Sequence, residues 1–139
     1  MALTDPGKDR QILWSPGPQA AMVTLAEAVT RGDVLGYSSG WKLAHATVGG
    51  VIQGRLVALA DGAVGDVIPA SHIAVVGGYT GGTPGGYVYV NEGTAPAGKG
   101  EVTETAPSTS GDANTIIGLI LSATTVLLFL NSRADSTAS

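Results

Sequence analysis

Residues 116–130 read IIGLILSATTVLLFL, an apolar stretch interrupted near its centre by Ser122, Thr124 and Thr125. At 15 residues the stretch is shorter than the roughly 20 apolar residues that a helix needs to cross a membrane. The interruption leaves two runs of about six residues that are rich in β-branched side chains, which favour strands. We therefore predict two buried β-strands joined by a tight turn, and no membrane-spanning helix.

The rest of the chain is divided by turn-forming residues in the same way. The sequence has 21 glycines and 7 prolines, and turn signals recur about every eight to twelve residues, which favours many short strands over helices. Strands are predicted at Val34–Tyr37 and Tyr87–Val90, and longer ones at Met22–Val29 and Val51–Ala60. We predict an all-β fold, with a small β-barrel or sandwich body of about nine short strands.

Composition predicts three regions of different character. Residues 1–21 contain prolines that favour an extended path, and we expect them to form an N-terminal arm. Residues 22–131 hold the predicted strands and form the β body. Residues 132–139 are small and polar, and we expect a disordered tail.

The arm contains an apolar cluster, QILW at residues 11–14, in an otherwise polar stretch. One interpretation is a strand or strap that packs Trp14 onto its own domain. The other is an arm that anchors Leu13 and Trp14 on a neighbouring chain, since aromatic side chains carry much of the binding energy of interfaces. The sequence leaves both open, and the candidate contacts with a capsid or a neighbour are Arg10, Ile12, Leu13 and Trp14.

Charge and composition exclude several classes of protein. The net charge is −4 and the few basic residues are scattered, so we expect no nucleic-acid partner. The chain has no cysteine, which removes thiolate metal sites and cysteine nucleophiles. With 44% hydrophobic and 13% charged residues it is not a disordered chain. We also expect no membrane partner.

Motifs that suggest chemistry have simpler explanations here. Arg31-Gly32-Asp33 is a tripeptide that some integrins bind, but Gly-Asp-Val recurs at residues 65–67 without the arginine. Both copies precede an apolar run, so we predict turns in which the aspartate side chain caps the backbone. His45 and His72 have no metal-ligating residue at a suitable spacing. We expect no metal, no cofactor and no enzymatic activity.

Two parts of the chain resemble known virion proteins. Residues 31–46 (RGDVLGYSSGWKLAHA) and 57–70 (VALADGAVGDVIPA) are similar to small capsid decoration proteins of tailed bacteriophages, which carry such Gly-Asp steps between strands. Residues 88–131 resemble the closing segment of many tailed-phage virion proteins, in which an apolar strand leads through Ser-Ala-Thr-Thr into a last strand. Together these segments cover most of residues 31–131.

The resemblance implies a function as well as a fold. Such decoration proteins have a β-barrel-like or β-tulip body, form homotrimers and bind the major capsid protein, and an N-terminal arm often ties neighbours together. We therefore expect a protein of the virion, on the outer capsid surface, that stabilises the shell.

Two other functions are carried as alternatives. A receptor- or carbohydrate-binding module of a phage tail fibre or virion surface would expose aromatic side chains in a groove, with Trp41, Tyr79 and Tyr87 as candidates. A hydrolase would need a polar cleft around His45 or His72, built from residues that are distant in sequence.

Overall fold

The computed structural model describes residues 3–5, 8–16, 21–93 and 98–139, and within these ranges the chain forms eleven β-strands and no α-helix. The predicted all-β class is confirmed. The strands are β1 (Gln11–Trp14), β2 (Ala21–Thr24), β3 (Val34–Tyr37), β4 (Trp41–Leu43), β5 (Leu56–Ala58), β6 (Val67–Ser71), β7 (Ile73–Gly77), β8 (Tyr87–Val90), β9 (Val102–Thr103), β10 (Ile116–Ser122) and β11 (Thr125–Phe129).

The strands form two antiparallel sheets in a sandwich-like body. The six-stranded sheet has the order β1-β7-β11-β10-β8-β9, and the five-stranded sheet has the order β2-β6-β5-β3-β4. The five-stranded sheet curls, because Leu25, which follows one edge strand, forms an isolated bridge with Trp41 of the other. This bridge does not close a barrel, so of the two predicted architectures the sandwich fits better.

The apolar stretch at 116–130 forms the predicted hairpin. Strands β10 and β11 pair with Leu119 opposite Leu127, and the turn between them holds the polar residues. Gly118 faces the interior, where a Cβ would collide with the carbonyl oxygen of Leu127. Only glycine therefore allows the two strands to approach this closely.

Two strands are shorter than the sequence predicts. β2 ends at Thr24 because Leu25 turns away to the opposite edge of its sheet. β5 begins only at Leu56, after Gly54 has passed so close to Val34 and Leu130 that a Cβ would lie less than 3 Å from each. Tertiary contacts thus override the β-propensity of these two runs.

The apolar core has two parts, one on each face of the five-stranded sheet. Between the sheets, Val34 and Val57 of the five-stranded sheet pack with Val76, Val126 and other buried residues of the six-stranded sheet. The second cluster lies on the concave side of the five-stranded sheet alone. Its buried members are Val23, Leu25, Val29, Leu35, Ala58, Ile68 and Ala70.

The C-terminal residues 132–139 pack on the body. Asp135 forms a bidentate ion pair with Arg55, at 2.6 and 2.7 Å, and the Ala138 N–H donates to the carbonyl of Asp112 at 2.7 Å. These contacts differ from the disorder expected for this segment. The segment also forms an isolated bridge, between Thr137 and Ala113, in the turn before β10.

Among the described residues, no helix has the length and apolar character that a membrane span requires.

Candidate interaction surface

The N-terminal segment is a strap on its own domain, with two side chains left exposed. β1 pairs with the edge of β7, and Ile12 packs against the core. Leu13 lies in a bulge of β1, between Ile12 and Trp14, and Leu13 and Trp14 are 55% and 51% exposed. Of the two interpretations of this segment, the structure therefore favours the strap for Ile12 and leaves Leu13 and Trp14 available to a neighbour. Residues 1, 2, 6, 7 and 17–20 of the predicted arm lie outside the described residues.

Arg10 is buried in an ion-pair cluster instead of facing a neighbour. Its Nε donates to Asp5 Oδ2 at 2.6 Å, and its Nη1 lies 2.7 Å from Asp33 Oδ1, which Lys8 Nζ also contacts at 3.0 Å. Burial alone lowers the pKa of Arg10, but nearby negative charge, first that of Asp33, raises it above the ordinary value. With 1% of its surface exposed, Arg10 is not available to a neighbouring chain.

The Arg-Gly-Asp tripeptide belongs to this cluster and is a structural turn. Asp33 is 1% exposed, and its Oδ2 accepts the Thr30 N–H at 2.8 Å. Asp66 makes the equivalent bond to the Ala63 N–H at 2.9 Å, so the predicted capping role is confirmed for both copies. The glycines before the two aspartates have φ of 88° and 91°, a region that favours glycine.

The six-stranded sheet has one buried and one uncovered face. Side chains of a strand alternate between faces, and Val76, Val126 and Leu128 point into the core with 0% exposure. Their neighbours Val75 and Leu127 point outward. None of these outward residues is buried, since no layer of the described chain covers them.

Apolar side chains form a continuous row across this outward face. The strand register places Trp14 opposite Val75, Val75 opposite Leu127, Leu127 opposite Leu119, and Leu119 opposite Tyr87. The row therefore crosses five of the six strands. A second set of outward residues lies beside it: Leu13, Ile73, Tyr89, Ile116, Leu121 and Phe129.

The outward face is uncharged. None of the residues in β1, β7, β8, β9, β10 or β11 is an aspartate, glutamate, lysine, arginine or histidine. A charge approaches at one margin, where the guanidinium of Arg133 lies 5.8 Å from the centre of the Tyr87 ring. A contiguous apolar face of this kind marks an interaction site.

Most of this face is not apparent from the sequence. The strands β10 and β11 are apolar in both registers, which predicts two buried strands. Period-2 alternation is absent from a strand that is covered on both sides. The lack of alternation in β10 and β11 therefore indicates that both faces of these strands are covered. It does not indicate whether the residues that cover the second face belong to the same chain.

The aromatic residues of the carbohydrate-binding alternative are not brought together. Tyr79 is buried beside Arg10, and its burial raises its pKa. Trp41 lies in the five-stranded sheet, where it meets the exposed Tyr37 edge-on with ring centres 5.5 Å apart. Tyr87 lies in the other sheet.

The two histidines are also far from forming a catalytic pair. His72 is exposed between β6 and β7, whereas His45 is half-buried, and its Nδ1 has no hydrogen-bond partner among the described residues. Burial, and then the charge of Lys99, lowers the pKa of His45. The described part of the chain holds no group of three or more histidine, aspartate or glutamate residues able to bind a metal.

A pair of carboxyl groups does meet at the turn before β10. Asp112 is fully buried; its Oδ1 accepts the Val48 N–H at 2.8 Å, and its Oδ2 has no partner among the described residues. Glu92 reaches the same place because the next residue donates its N–H to Thr47 Oγ1 at 2.8 Å. A protonated Glu92 can donate a hydrogen bond to Asp112, and this bond, followed by burial and the charge of Asp112, raises the pKa of Glu92.

Comparison with protein-family models, with curated proteins and with solved structures gave no match for this chain.

Proposed function

We propose that this protein is a structural binding protein of a tailed-phage virion, a capsid decoration protein that binds the major capsid protein lattice as a homotrimer. The observation that carries the proposal is the uncharged apolar outward face of the six-stranded sheet. Such a face can join the copies of a homotrimer, and a protein that only grips repeated neighbours needs no cleft. A shell that presents the same site many times makes even modest individual contacts effective.

Three further features support the proposal. The strap at Gln11–Trp14 and the C-terminal segment both pack on the body. Leu13 and Trp14 are exposed on an edge strand, where they are placed to contact a neighbour. The Gly-Asp turns that carry part of the resemblance to decoration proteins have well-defined capped geometry.

Co-sedimentation tests this function directly. Purified protein is mixed with undecorated shells of a matching tailed phage and centrifuged, with shells of an unrelated phage as the specificity control. We expect the protein to pellet only with the matching shells, and the decorated shells to resist heat better than bare ones. Protein that stays in the supernatant at a concentration of about 10 μM, which exceeds the affinity range of specific interfaces, would contradict the proposal.

A further inference from the structure

The outward face of the six-stranded sheet is not covered by the described residues. We infer that copies of this same chain cover it, packing sheet against sheet around a common axis. This inference deepens the proposed function. It takes only the number of copies, three, from that proposal. The choice of occupant rests on the size, the charge and the shape of the face.

The size of the face suits association between proteins. The five strands that the row crosses lie about 4.8 Å apart and have four to seven residues, which makes the face about 19 Å wide and roughly 13–23 Å long. The projected area is therefore roughly 250–440 Å², which is comparable to the largest apolar patch of a typical monomer. It supplies a large part of the about 800 Å² that each partner buries in a standard interface.

The charge of the face favours a second copy over a charged partner. The chain carries a net charge of −4, so two copies repel each other wherever their charged surfaces meet. The six strands of this sheet carry no charged residue, whereas the five-stranded sheet carries Lys42. A neutral face is the place where like-charged copies can approach without an electrostatic cost.

The shape of the face matches itself. When copies of a flat apolar sheet face are arranged around one axis with that face inward, each face contacts the faces of its neighbours. The row of residues ends in an aromatic side chain at each margin, Trp14 on β1 and Tyr87 on β8. In a ring of copies, the Trp14 margin of one chain would meet the Tyr87 margin of the next, which is a heterologous contact that closes.

Molecular mass in solution tests the inference. Leu121 is outward-facing and 49% exposed, so Leu121→Asp adds a charge to the face with little effect on the folded single chain. Val64 is 67% exposed on a turn beside the five-stranded sheet, so Val64→Asp is the matched control. The masses of the full-length wild type and both variants are measured by light scattering over a range of concentrations, and circular dichroism checks that each is folded.

We expect a multiple of the single-chain mass for the wild type and for Val64→Asp, and the single-chain mass for Leu121→Asp. Because the contact is apolar, the wild-type mass should persist in 1 M salt, where charge interactions are screened within about 3 Å. A wild type that is a single chain at all concentrations, or a folded Leu121→Asp variant that keeps the wild-type mass, would overturn the inference.

The outcome is separable from that of the proposed function. A wild type that assembles through this face but does not sediment with shells would contradict the decoration proposal and support the inference. A protein that binds shells, and whose mass in solution is unchanged by Leu121→Asp, would contradict the inference and support the decoration proposal.

Discussion

The two sheets bury their apolar side chains in different ways. The five-stranded sheet curls until its edges meet at Leu25 and Trp41, and so encloses a cluster of its own. The six-stranded sheet stays open, and only the face toward the other sheet is buried. The first sheet thus buries both of its faces within one chain, while the second leaves one apolar face uncovered by the described residues.

The difference follows from where each sheet carries its loops. In the five-stranded sheet, the segments that bring Val29 and Gly62 together lie over the concave face, held by hydrogen bonds between these two residues at 2.9 and 3.1 Å. The six-stranded sheet has no equivalent cover in the described part of the chain. A sheet face that only a reversibly bound partner covers can serve in assembly. A sheet face that loops of the same chain cover contributes only to stability.

The largest expected effect tests the junction between the two sheets. Arg10 precedes β1 of one sheet, and its partner Asp33 precedes β3 of the other. Replacing Arg10 leaves Asp5 and Asp33 buried without their main partner, so Arg10→Ala should lower the free energy of unfolding by about 3–5 kcal/mol. Urea denaturation followed by circular dichroism measures this change.

Arg55→Ala is the control for that substitution. Arg55 pairs with Asp135 where both side chains are about 40% exposed, at 39% and 42%, and such pairs contribute less than about 1 kcal/mol. Equal losses for Arg10→Ala and Arg55→Ala would mean that the buried cluster does not hold the sheets together.

A smaller effect separates the two faces of the six-stranded sheet. Leu127 and Leu128 are neighbours on β11 but face outward and inward, respectively. Leu128→Ala should cost about 2–5 kcal/mol because it opens a cavity in the core, whereas Leu127→Ala should cost only about 1–2 kcal/mol in a single chain, because its side chain is half-buried.

This second comparison is best made by urea denaturation in the Leu121→Asp background, where association does not add to stability. In the wild-type background, Leu127→Ala should weaken assembly as well. Similar costs for the two leucines in single chains would show that the outward face is already covered without a partner.

The features that the sequence predicted correctly depend on neighbouring residues. Val34–Tyr37 and Tyr87–Val90 are strands with the predicted bounds, and the hairpin at 116–130 follows from two apolar runs around a polar break. The capped turn at Asp33 is also local, since the bond spans three residues. Such signals need no knowledge of the rest of the fold.

The features that were missed depend on contacts between distant residues. The burial of Arg10 arises from Asp33, which lies far along the chain, and a basic residue in a polar segment gives no sign of it. The outward position of Leu119 and Leu127 depends on which sheet packs on which. The apolar pattern fixes the alternation of side chains but does not identify the cover of each face.

The smallest expected effect is a pH dependence at the carboxyl pair that ties the end of β8 to the turn before β10. The pKa of Glu92 is raised from its ordinary value of 4.5 by its hydrogen bond with Asp112, so the folded state binds more protons than the unfolded state above that value. The contribution of Glu92 to stability is therefore present in acid and is lost as the pH rises through its folded pKa.

Glu92→Gln removes this loss, and its amide can donate to the unpartnered Asp112 Oδ2. Relative to the wild type, the melting temperature of Glu92→Gln should rise between pH 4 and pH 7 by less than about 2 °C, because Glu92 is partly solvated. Asp135→Asn is the control, since the hydrogen bond from Arg55 lowers the pKa of Asp135 below its ordinary value of 3.8. The contribution of Asp135 is lost only as the pH falls below that value, so the melting temperature of Asp135→Asn relative to the wild type should stay constant between pH 4 and pH 7. Melting curves of both variants with parallel pH dependence would contradict the assignment of the pair.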